Sequence, residues 1–173
     1  CAQALSADIA VGAQGAAVAD AQTGRILISH NGQTQLPMAS TTKVMTALVA
    51  LEKCDLAEEV AIPDACVGVE GSSIYLQKGD RYRLETLLYG LMLRSGNDAA
   101  ESIACHVGGS VEGFVELMNA KAQELGCADT HFVNPHGLPA EGHYTTAEDL
   151  AVIAAAAMRN ETFRKIVSTK SIT

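Results

Sequence analysis

The sequence predicts an α+β fold in which an N-terminal β-hairpin precedes a mainly helical region. Two short apolar runs, residues 16–20 and 25–29, flank a polar link ending in Gly24, a pattern typical of a hairpin. After residue 36, apolar residues recur at helical spacing, with capping residues before them and glycines after them. The length of 173 residues, with 48% hydrophobic and 18% charged residues, suits one domain with a sizeable core.

The charge and the apolar pattern exclude two kinds of partner. The net charge is −8 and the pI about 5.0, so the chain repels phosphate backbones and nucleic acid is not expected as a partner. The longest apolar stretch, residues 150–158, is far shorter than the roughly 18 residues of a membrane span. We therefore predict no membrane span within these residues.

The N-terminal residues and the cysteines say less about function. Residues 1–7 resemble the end of a secretory signal with a small-x-small cleavage site at 2–4, although a frayed terminus explains them equally well. The five cysteines include no Cys-x-x-Cys pair and predict mostly buried or free thiols. Cys54 and Cys66 are the one pair near enough in sequence to suggest a disulfide.

The first predicted helix runs from Ser40 to Leu51, after Pro37, which stops any earlier helix. Its apolar residues lie on every face: Val44, Met45, Ala47, Leu48, Val49, Ala50 and Leu51. A helix that is apolar all round is buried, so we expect this one at the centre of the domain.

The remaining pattern predicts further elements in order. A short strand covers 60–62, a helix carries Leu84, Leu87, Leu88 and Leu91, and a polar turn follows at 95–98. Helices at 98–107 and 111–125 come next, the second capped by Ser110, and a loop covers 132–139. Thr145 and Glu148 predict a capping box for a helix ending at Met158. We also predict a last helical turn at 163–167 and the start of a strand at 168–173.

Ser40 and Lys43 are three residues apart where the central helix begins. Side chains at that spacing share one helical face, about 5 to 6 Å apart at Cβ, so the lysine can fold back onto the hydroxyl. The first turn also offers unpaired N–H groups to a developing negative charge. Alone, the pair is explained as a helix cap with an outward lysine.

A second polar turn, Ser95-Gly96-Asn97, follows a predicted buried helix and favours a catalytic interpretation. The order Ser-x-x-Lys and then Ser-x-Asn occurs in serine acyl-transferases. A second hydroxyl can pass a proton between Lys43 and a leaving amine, while the Asn97 amide can hold a substrate carbonyl.

Several ordered segments extend this pattern: 19–24 (Ala-Asp-Ala-Gln-Thr-Gly), 37–43 (Pro-Met-Ala-Ser-Thr-Thr-Lys), 71–73 (Gly-Ser-Ser), 87–91 (Leu-Leu-Tyr-Gly-Leu), 95–100 (Ser-Gly-Asn-Asp-Ala-Ala), 134–138 (Asn-Pro-His-Gly-Leu) and 143–147 (His-Tyr-Thr-Thr-Ala). In them the chain closely resembles the serine-type D-alanyl-D-alanine carboxypeptidases, the low-molecular-mass penicillin-binding proteins (peptidase S11-like). The resemblance implies a penicillin-binding-protein/β-lactamase-like transpeptidase fold, with the site between a small antiparallel sheet and a helical domain.

The same resemblance implies roles for individual residues. Ser40 is the acylated nucleophile, Lys43 its general base, Ser95 the proton relay and Asn97 a substrate ligand. His136 borders the cleft. The implied substrate is a peptidoglycan stem peptide ending in D-Ala-D-Ala, β-lactams acylate the same serine, and neither metal nor cofactor takes part. Such a substrate lies outside the cytoplasmic membrane, so we expect an extracytoplasmic location.

The chain departs from the family pattern at one motif. The family has Lys-Thr-Gly on a later strand, and the nearest match here, residues 169–171 (Thr-Lys-Ser), lacks the glycine. We therefore expect residues 1–173 to be a partial catalytic domain, with a hairpin at about 15–30, a helical domain at 36–167, and the last strands and any membrane anchor outside it. Such a segment is expected to be nearly inactive and, with unpaired strand edges, to self-associate.

Other functions remain as alternatives or are excluded. A transpeptidase differs only in passing the acyl group to an amine, and a non-catalytic peptidoglycan-binding module is the alternative if the third motif is truly missing.

Other enzyme classes are excluded by missing motifs. No glutamate after Ser95 has the asparagine four positions later that a class A β-lactamase needs. The histidines form no His-Glu-x-x-His, and no phosphate-binding Gly-Lys-Ser/Thr loop occurs.

Overall fold

The computed structural model describes residues 11–172, so the predicted secretory-signal residues lie outside the described range. The strands are β1 (Ala16–Ala19), β2 (Ile26–His30), β3 (Glu59–Ala61) and β4 (Arg81–Arg83). The helices are α1 (Thr42–Lys53), α2 (Leu84–Arg94), α3 (Asn97–Gly108), α4 (Val111–Glu124), α5 (Ala147–Arg159) and α6 (Glu161–Ser168). Short 3-10 turns at Ala39–Thr41 and Asp64–Cys66 precede α1 and follow β3. The predicted α+β class is confirmed.

α1 is the central helix, as its apolar faces predict. It packs against each of α2 to α6, and Met45, Ala47 and Ala50 are completely buried. Full burial of a side chain such as Met45 or Leu48 contributes about 1.5–3 kcal/mol to folding. Because neighbours surround α1, the turn that precedes it is held in a fixed position. Among residues 11–172, none of the helices combines the length and apolar character needed to cross a bilayer.

The predicted N-terminal hairpin is present, and a second strand pair accompanies it. β1 and β2 are antiparallel, with Ala16 opposite His30, and α5 packs against both strands. β3, predicted at 60–62, pairs with β4, which the sequence analysis did not predict. β4 has only three residues, too few for the alternation of exposed Arg81 and Arg83 around half-buried Tyr82 to be distinguished from a loop.

One helix cap was predicted correctly and another was wrong by one position. The Ser110 hydroxyl accepts a hydrogen bond from the Gly113 amide at 3.0 Å, which confirms the cap of α4. The cap of α5 is Thr146, whose Oγ1 accepts from the Asp149 amide at 3.1 Å, and not Thr145. Thr145 instead pairs with Leu36 in a β-bridge. The Glu148 carboxylate accepts from the Ser29 hydroxyl at 2.6 Å.

The C-terminal residues also differ from the prediction. α6 is an eight-residue helix capped by Asn160, where a single turn at 163–167 was expected. Phe163 and Ile166 anchor it in the core, so burial extends the helix beyond its short apolar motif. The predicted strand at 168–173 was wrong over 168–172, because Ser168 ends α6 and residues 169–172 pair with no other described residue as a strand.

The four described cysteines are free thiols, in agreement with the sequence. The suggested bridge between Cys54 and Cys66 is absent among them, because the Cys66 sulfur faces Cys105 instead, at 3.6 Å. Burial, followed by the hydrogen bond and charge of Cys105, raises the pKa of the Cys66 thiol to about 12. Cys66 therefore stays protonated. Cys66 is completely buried and Cys105 only partly, so Cys105 is the thiol that an external disulfide can reach first.

We predict that oxidised glutathione converts the Cys66 and Cys105 thiols into one disulfide, releasing reduced glutathione. A cross-link over so long a loop should raise Tm by about 5 to 10 °C. Peptide mapping by mass spectrometry, with and without reduction, identifies the pair, and Cys105→Ser is the control that should form no cross-link. A Cys54–Cys66 peptide, or no cross-link after prolonged oxidation, would contradict the prediction.

Candidate active site

Ser40 lies in the 3-10 turn just before α1, not within the first α-helical turn as predicted, and it is exposed to solvent. The turn is strained, since Ala39 has a positive φ of 45°. Gly137 packs directly on this backbone, and a Cβ at that position would lie 1.8 Å from the Ala39 carbonyl oxygen. Only glycine fits there, so the 134–138 loop and the Ser40 turn fix each other.

Lys43 is buried and faces Ser40. Its side chain is 2% exposed, and its Nζ lies 3.4 Å from Ser40 Oγ. The same nitrogen donates to Asn97 Oδ1 and to the His136 carbonyl oxygen, each at 2.7 Å. Burial lowers the pKa of Lys43 from 10.5 to about 8. At pH 7 about a tenth of the molecules therefore carry a neutral amine here, far more than an exposed lysine provides.

Asn97 stands at the start of α3 with both ends of its amide engaged. Its Oδ1 accepts from Lys43, and its Nδ2 donates to the Glu70 carbonyl oxygen at 2.6 Å. Gly71, with φ of 91°, leaves room for this amide, since a Cβ there would lie 2.7 Å from Nδ2. One N–H of the amide remains available to a ligand.

Ser95 is near these residues in sequence but does not share their hydrogen bonds. It ends α2 in the left-handed conformation, with φ of 57°, and is half-buried. Within residues 11–172, its hydroxyl makes no hydrogen bond with Lys43 or Ser40. Of the predicted site residues, the structure thus joins Ser40, Lys43 and Asn97 directly, and Ser95 stays outside their hydrogen bonds, two positions before Asn97 in the chain.

His136 borders the site, as the resemblance implied, and its ring has defined partners. Its Nδ1 accepts from the Leu138 amide at 3.1 Å, so the other ring nitrogen carries a proton. That Nε2 lies 3.2 Å from Glu101 Oε1 on α3. The ring and the backbone carbonyl of His136 therefore tie the 134–138 loop to α3 and to Lys43.

Asp98 is a supporting residue whose role the sequence analysis missed. Its carboxylate is 1% exposed and accepts hydrogen bonds from the Ser73 hydroxyl at 2.7 Å and the Leu76 amide at 3.0 Å, as well as from the amides of Ile74 and Ala99. Burial raises the pKa of Asp98, but these hydrogen bonds outweigh burial and lower it below 3.8. In the sequence it is one residue of the polar turn at 95–98, and no local pattern indicates that a remote loop supplies its donors.

A second buried histidine supports the start of α1. His143 Nε2 lies 2.9 Å from the Thr42 hydroxyl, and its Nδ1 accepts from the Val133 amide at 3.0 Å. Burial, with smaller contributions from His136 and His131, lowers the pKa of His143 to about 4. The ring is therefore neutral at physiological pH, and it adds no positive charge beside Lys43.

A cleft of about 270 Å³ opens in front of these groups. Its lining consists of Ala39, Ser40, Gly71, Ser72, Asn97, His136, Gly137, Leu138 and Pro139. A larger cleft of about 640 Å³, between α2 and residues 170–172, is lined by Lys170 and Ser171, but both are exposed, so it holds no buried amine. We take the smaller cleft as the candidate active site because it exposes a hydroxyl beside a buried amine.

The sequence of the chain matches a known protein family. The family profile described as D-alanyl-D-alanine carboxypeptidase matches residues 2–173. The carboxypeptidase DacF of Bacillus subtilis is 36% identical over 169 residues, covering 95% of this chain and 43% of its own length. DacB2 of Mycobacterium tuberculosis is 41% identical over 156 residues, covering 89% of this chain and 53% of its own. The chain thus spans about half the length of these relatives.

Solved structures share the fold. A D-alanyl-D-alanine carboxypeptidase from Mycobacterium tuberculosis H37Rv has a TM-score of 0.91 and 41% identity, covering 98% of this chain and 65% of that one. A mutant of the Streptomyces K15 DD-transpeptidase has a TM-score of 0.87 and 37% identity, covering 94% of this chain and 67% of that one. The fold expected from the sequence is confirmed.

We predict that Asp98→Asn lowers the free energy of unfolding by about 2–3 kcal/mol, because a neutral amide replaces a buried charged acceptor. Urea denaturation measures the change. In the wild type, the ionised Asp98 stabilises the fold fully at a pH above 3.8, the pKa of this carboxyl group in the unfolded chain. The stabilisation is lost as the pH falls through the lower pKa that Asp98 has in the folded chain.

The matched control is Asp64→Asn, which removes an exposed aspartate paired with Lys78 and should cost no more than about 1 kcal/mol. Equal losses for the two variants would contradict a special role for Asp98.

Proposed function

The chain belongs to the D-alanyl-D-alanine carboxypeptidase family, and from that premise we propose that it carries the nucleophilic centre of a serine-type D-Ala-D-Ala carboxypeptidase. In this proposal Ser40 attacks the peptide bond between the two terminal D-alanines of a peptidoglycan stem peptide. A non-catalytic peptidoglycan-binding module is disfavoured, because such a module has no need of a buried amine beside an exposed serine.

The observation that carries the proposal is the position of the Lys43 amine. A neutral amine has two N–H groups and one lone pair. The carbonyl oxygens of Asn97 and His136, each 2.7 Å from Nζ, account for both N–H groups. The lone pair is then left to accept the proton of the Ser40 hydroxyl. The distance from Nζ to Ser40 Oγ is 3.4 Å, and it can shorten when a substrate binds. Lys43 is therefore placed to act as a general base.

The proposed cycle balances without a cofactor. Ser40 Oγ transfers its proton to Lys43 Nζ and bonds to the carbonyl carbon of the penultimate D-alanine. The C–N bond breaks, the leaving amine takes a proton, and D-alanine departs, leaving an ester on Ser40. Water then hydrolyses the ester, giving a proton to Lys43 and returning the hydroxyl to Ser40. A β-lactam enters the same first step, and its ring-opened ester remains on Ser40.

Two further residues have proposed roles in this cycle. The free N–H of the Asn97 amide binds a substrate carbonyl, since its other groups hold it in place. Ser95 relays the proton from Lys43 to the leaving amine, which requires its hydroxyl to turn toward Lys43 when substrate is bound. Ser95 has a positive φ of 57° and lies two positions before Asn97, in the polar turn that joins α2 to α3.

The proposed substrate also implies a location. Peptidoglycan stem peptides lie outside the cytoplasmic membrane, so we propose that this chain works on that side. Transpeptidation is a second candidate, favoured by the 37% identity to the Streptomyces K15 DD-transpeptidase. The two reactions share the acyl-enzyme and differ in whether water or an amine accepts the acyl group. Self-association through unpaired strand edges stays a prediction.

We predict that benzylpenicillin acylates Ser40 in the 173-residue chain over hours, adding the mass of one intact penicillin. The expected rate is slow because the sequence contains no Lys-Thr-Gly after Asn97 to bind the carboxylate. Intact-mass spectrometry gives the rate, and peptide mapping locates the adduct.

Ser40→Ala should abolish the adduct, and Lys43→Met should slow it at least a hundredfold because the base is lost. Ser29→Ala, which removes a serine hydroxyl from the N-terminal hairpin, is the matched control and should react as the wild type does. An adduct that persists in Ser40→Ala, or none in the wild type, would contradict the proposal. Stoichiometric acylation within minutes would contradict the expected slowness alone.

A further inference from the structure

A second group of chemically reactive side chains lies at the other end of α1 from Ser40. Cys54 follows the last residue of α1, Glu58 precedes β3, and His106 is near the end of α3. A helix of 12 residues is about 18 Å long, so this group is well separated from the cleft. It takes no part in the chemistry proposed for Ser40.

The three side chains present a sulfur, a carboxylate oxygen and an imidazole nitrogen to a common point. One such atom from each residue lies within 4.8 Å of the others. His106 Nε2 and Glu58 Oε2 are 3.0 Å apart. In a tetrahedral zinc site, metal–ligand bonds of about 2.0–2.3 Å place neighbouring ligand atoms roughly 3.3–3.7 Å apart. The group needs only small side-chain movements to reach that geometry.

The backbone around the group holds two of these side chains in position. Glu58 Oε1 accepts from the Asp55 amide at 2.8 Å, which leaves Oε2 directed at His106. The Glu58 carbonyl oxygen accepts from the Leu84 amide at 2.9 Å, and the Cys54 amide donates to the Ala50 carbonyl at 3.1 Å. Such supporting hydrogen bonds orient metal ligands and strengthen binding.

The chemical types of these three ligand atoms favour some metal ions over others. Calcium and magnesium take oxygen ligands, whereas a thiolate with an imidazole and a carboxylate suits zinc. Without a metal, the Glu58 carboxylate pairs with His106 and accepts a hydrogen bond from the Cys54 thiol, so both other ligands already face it. The side chains of His106 and Glu58 are 27% and 42% exposed, so a zinc ion can enter and a water molecule can complete its coordination.

We propose that Cys54, Glu58 and His106 bind one zinc ion, with water as the fourth ligand. The ion joins the end of α1, the turn before β3 and the end of α3. Cys54 gives up its thiol proton to solvent on binding, and no redox change takes place. The site stabilises the fold and is independent of the Ser40 chemistry.

The test uses the reduced 173-residue chain, freed of metal with a chelator and titrated with zinc chloride against a chromogenic zinc indicator. We expect one zinc ion per chain with micromolar or tighter affinity, unaffected by excess magnesium. Cys54→Ser and His106→Ala should each weaken binding at least tenfold. Cobalt in place of zinc should give a sulfur-to-metal charge-transfer band that Cys54→Ser removes.

Matched controls separate this site from the other thiols and histidines. Cys105→Ser, next to His106 on α3, and His30→Ala, on β2, should bind zinc as the wild type does. Zinc should raise the Tm of the wild type but not that of Glu58→Gln, which keeps the shape of the side chain. No binding at micromolar zinc, or equal binding by Cys54→Ser and the wild type, would overturn the proposal.

Discussion

The candidate site depends on a lysine amine buried where three segments meet. Lys43 comes from α1, Asn97 from the start of α3, and the His136 carbonyl from the 134–138 loop. A buried amine without acceptors is costly, so each segment must supply its oxygen for the lysine to remain inside. The same burial lowers the pKa of Lys43 to about 8. The burial of the Lys43 amine therefore determines both how the three segments pack and how basic the amine is.

The surrounding structure holds those acceptors in place. Asp98 accepts hydrogen bonds from Ser73 and Ile74 of a neighbouring loop, and these bonds fix the backbone beside Asn97. Gly71 and Gly137 sit where a Cβ would collide with the Asn97 amide and with the Ala39 carbonyl. The close packing leaves little freedom for Lys43 to move out to solvent, and it keeps the Ser40 hydroxyl at the mouth of the cleft.

Local patterns in the sequence predicted the parts of this arrangement that depend on local chemistry. The hairpin, the buried α1 and the Ser110 cap follow from apolar spacing and turn residues, which act within a few positions. The meeting of Lys43 with Asn97 was inferred from motif order and family resemblance. The hydrogen bonds from residues 73–76 to Asp98, the β3–β4 pair and the Cys66–Cys105 contact join residues at least 20 positions apart. No local pattern encodes those pairings, since they result from how the helices pack.

The most direct test of this account is an NMR titration of Lys43 in chains labelled with 13C and 15N at lysine, with the resonance assigned by its loss in Lys43→Arg. The account predicts a midpoint near pH 8 for the Lys43 side chain. It also predicts that Asn97→Ala moves the midpoint upward, because water then reaches the amine. A midpoint near 10.5, the usual value for lysine, would contradict the account, since Lys43 would then be fully protonated at neutral pH and could not accept the Ser40 proton.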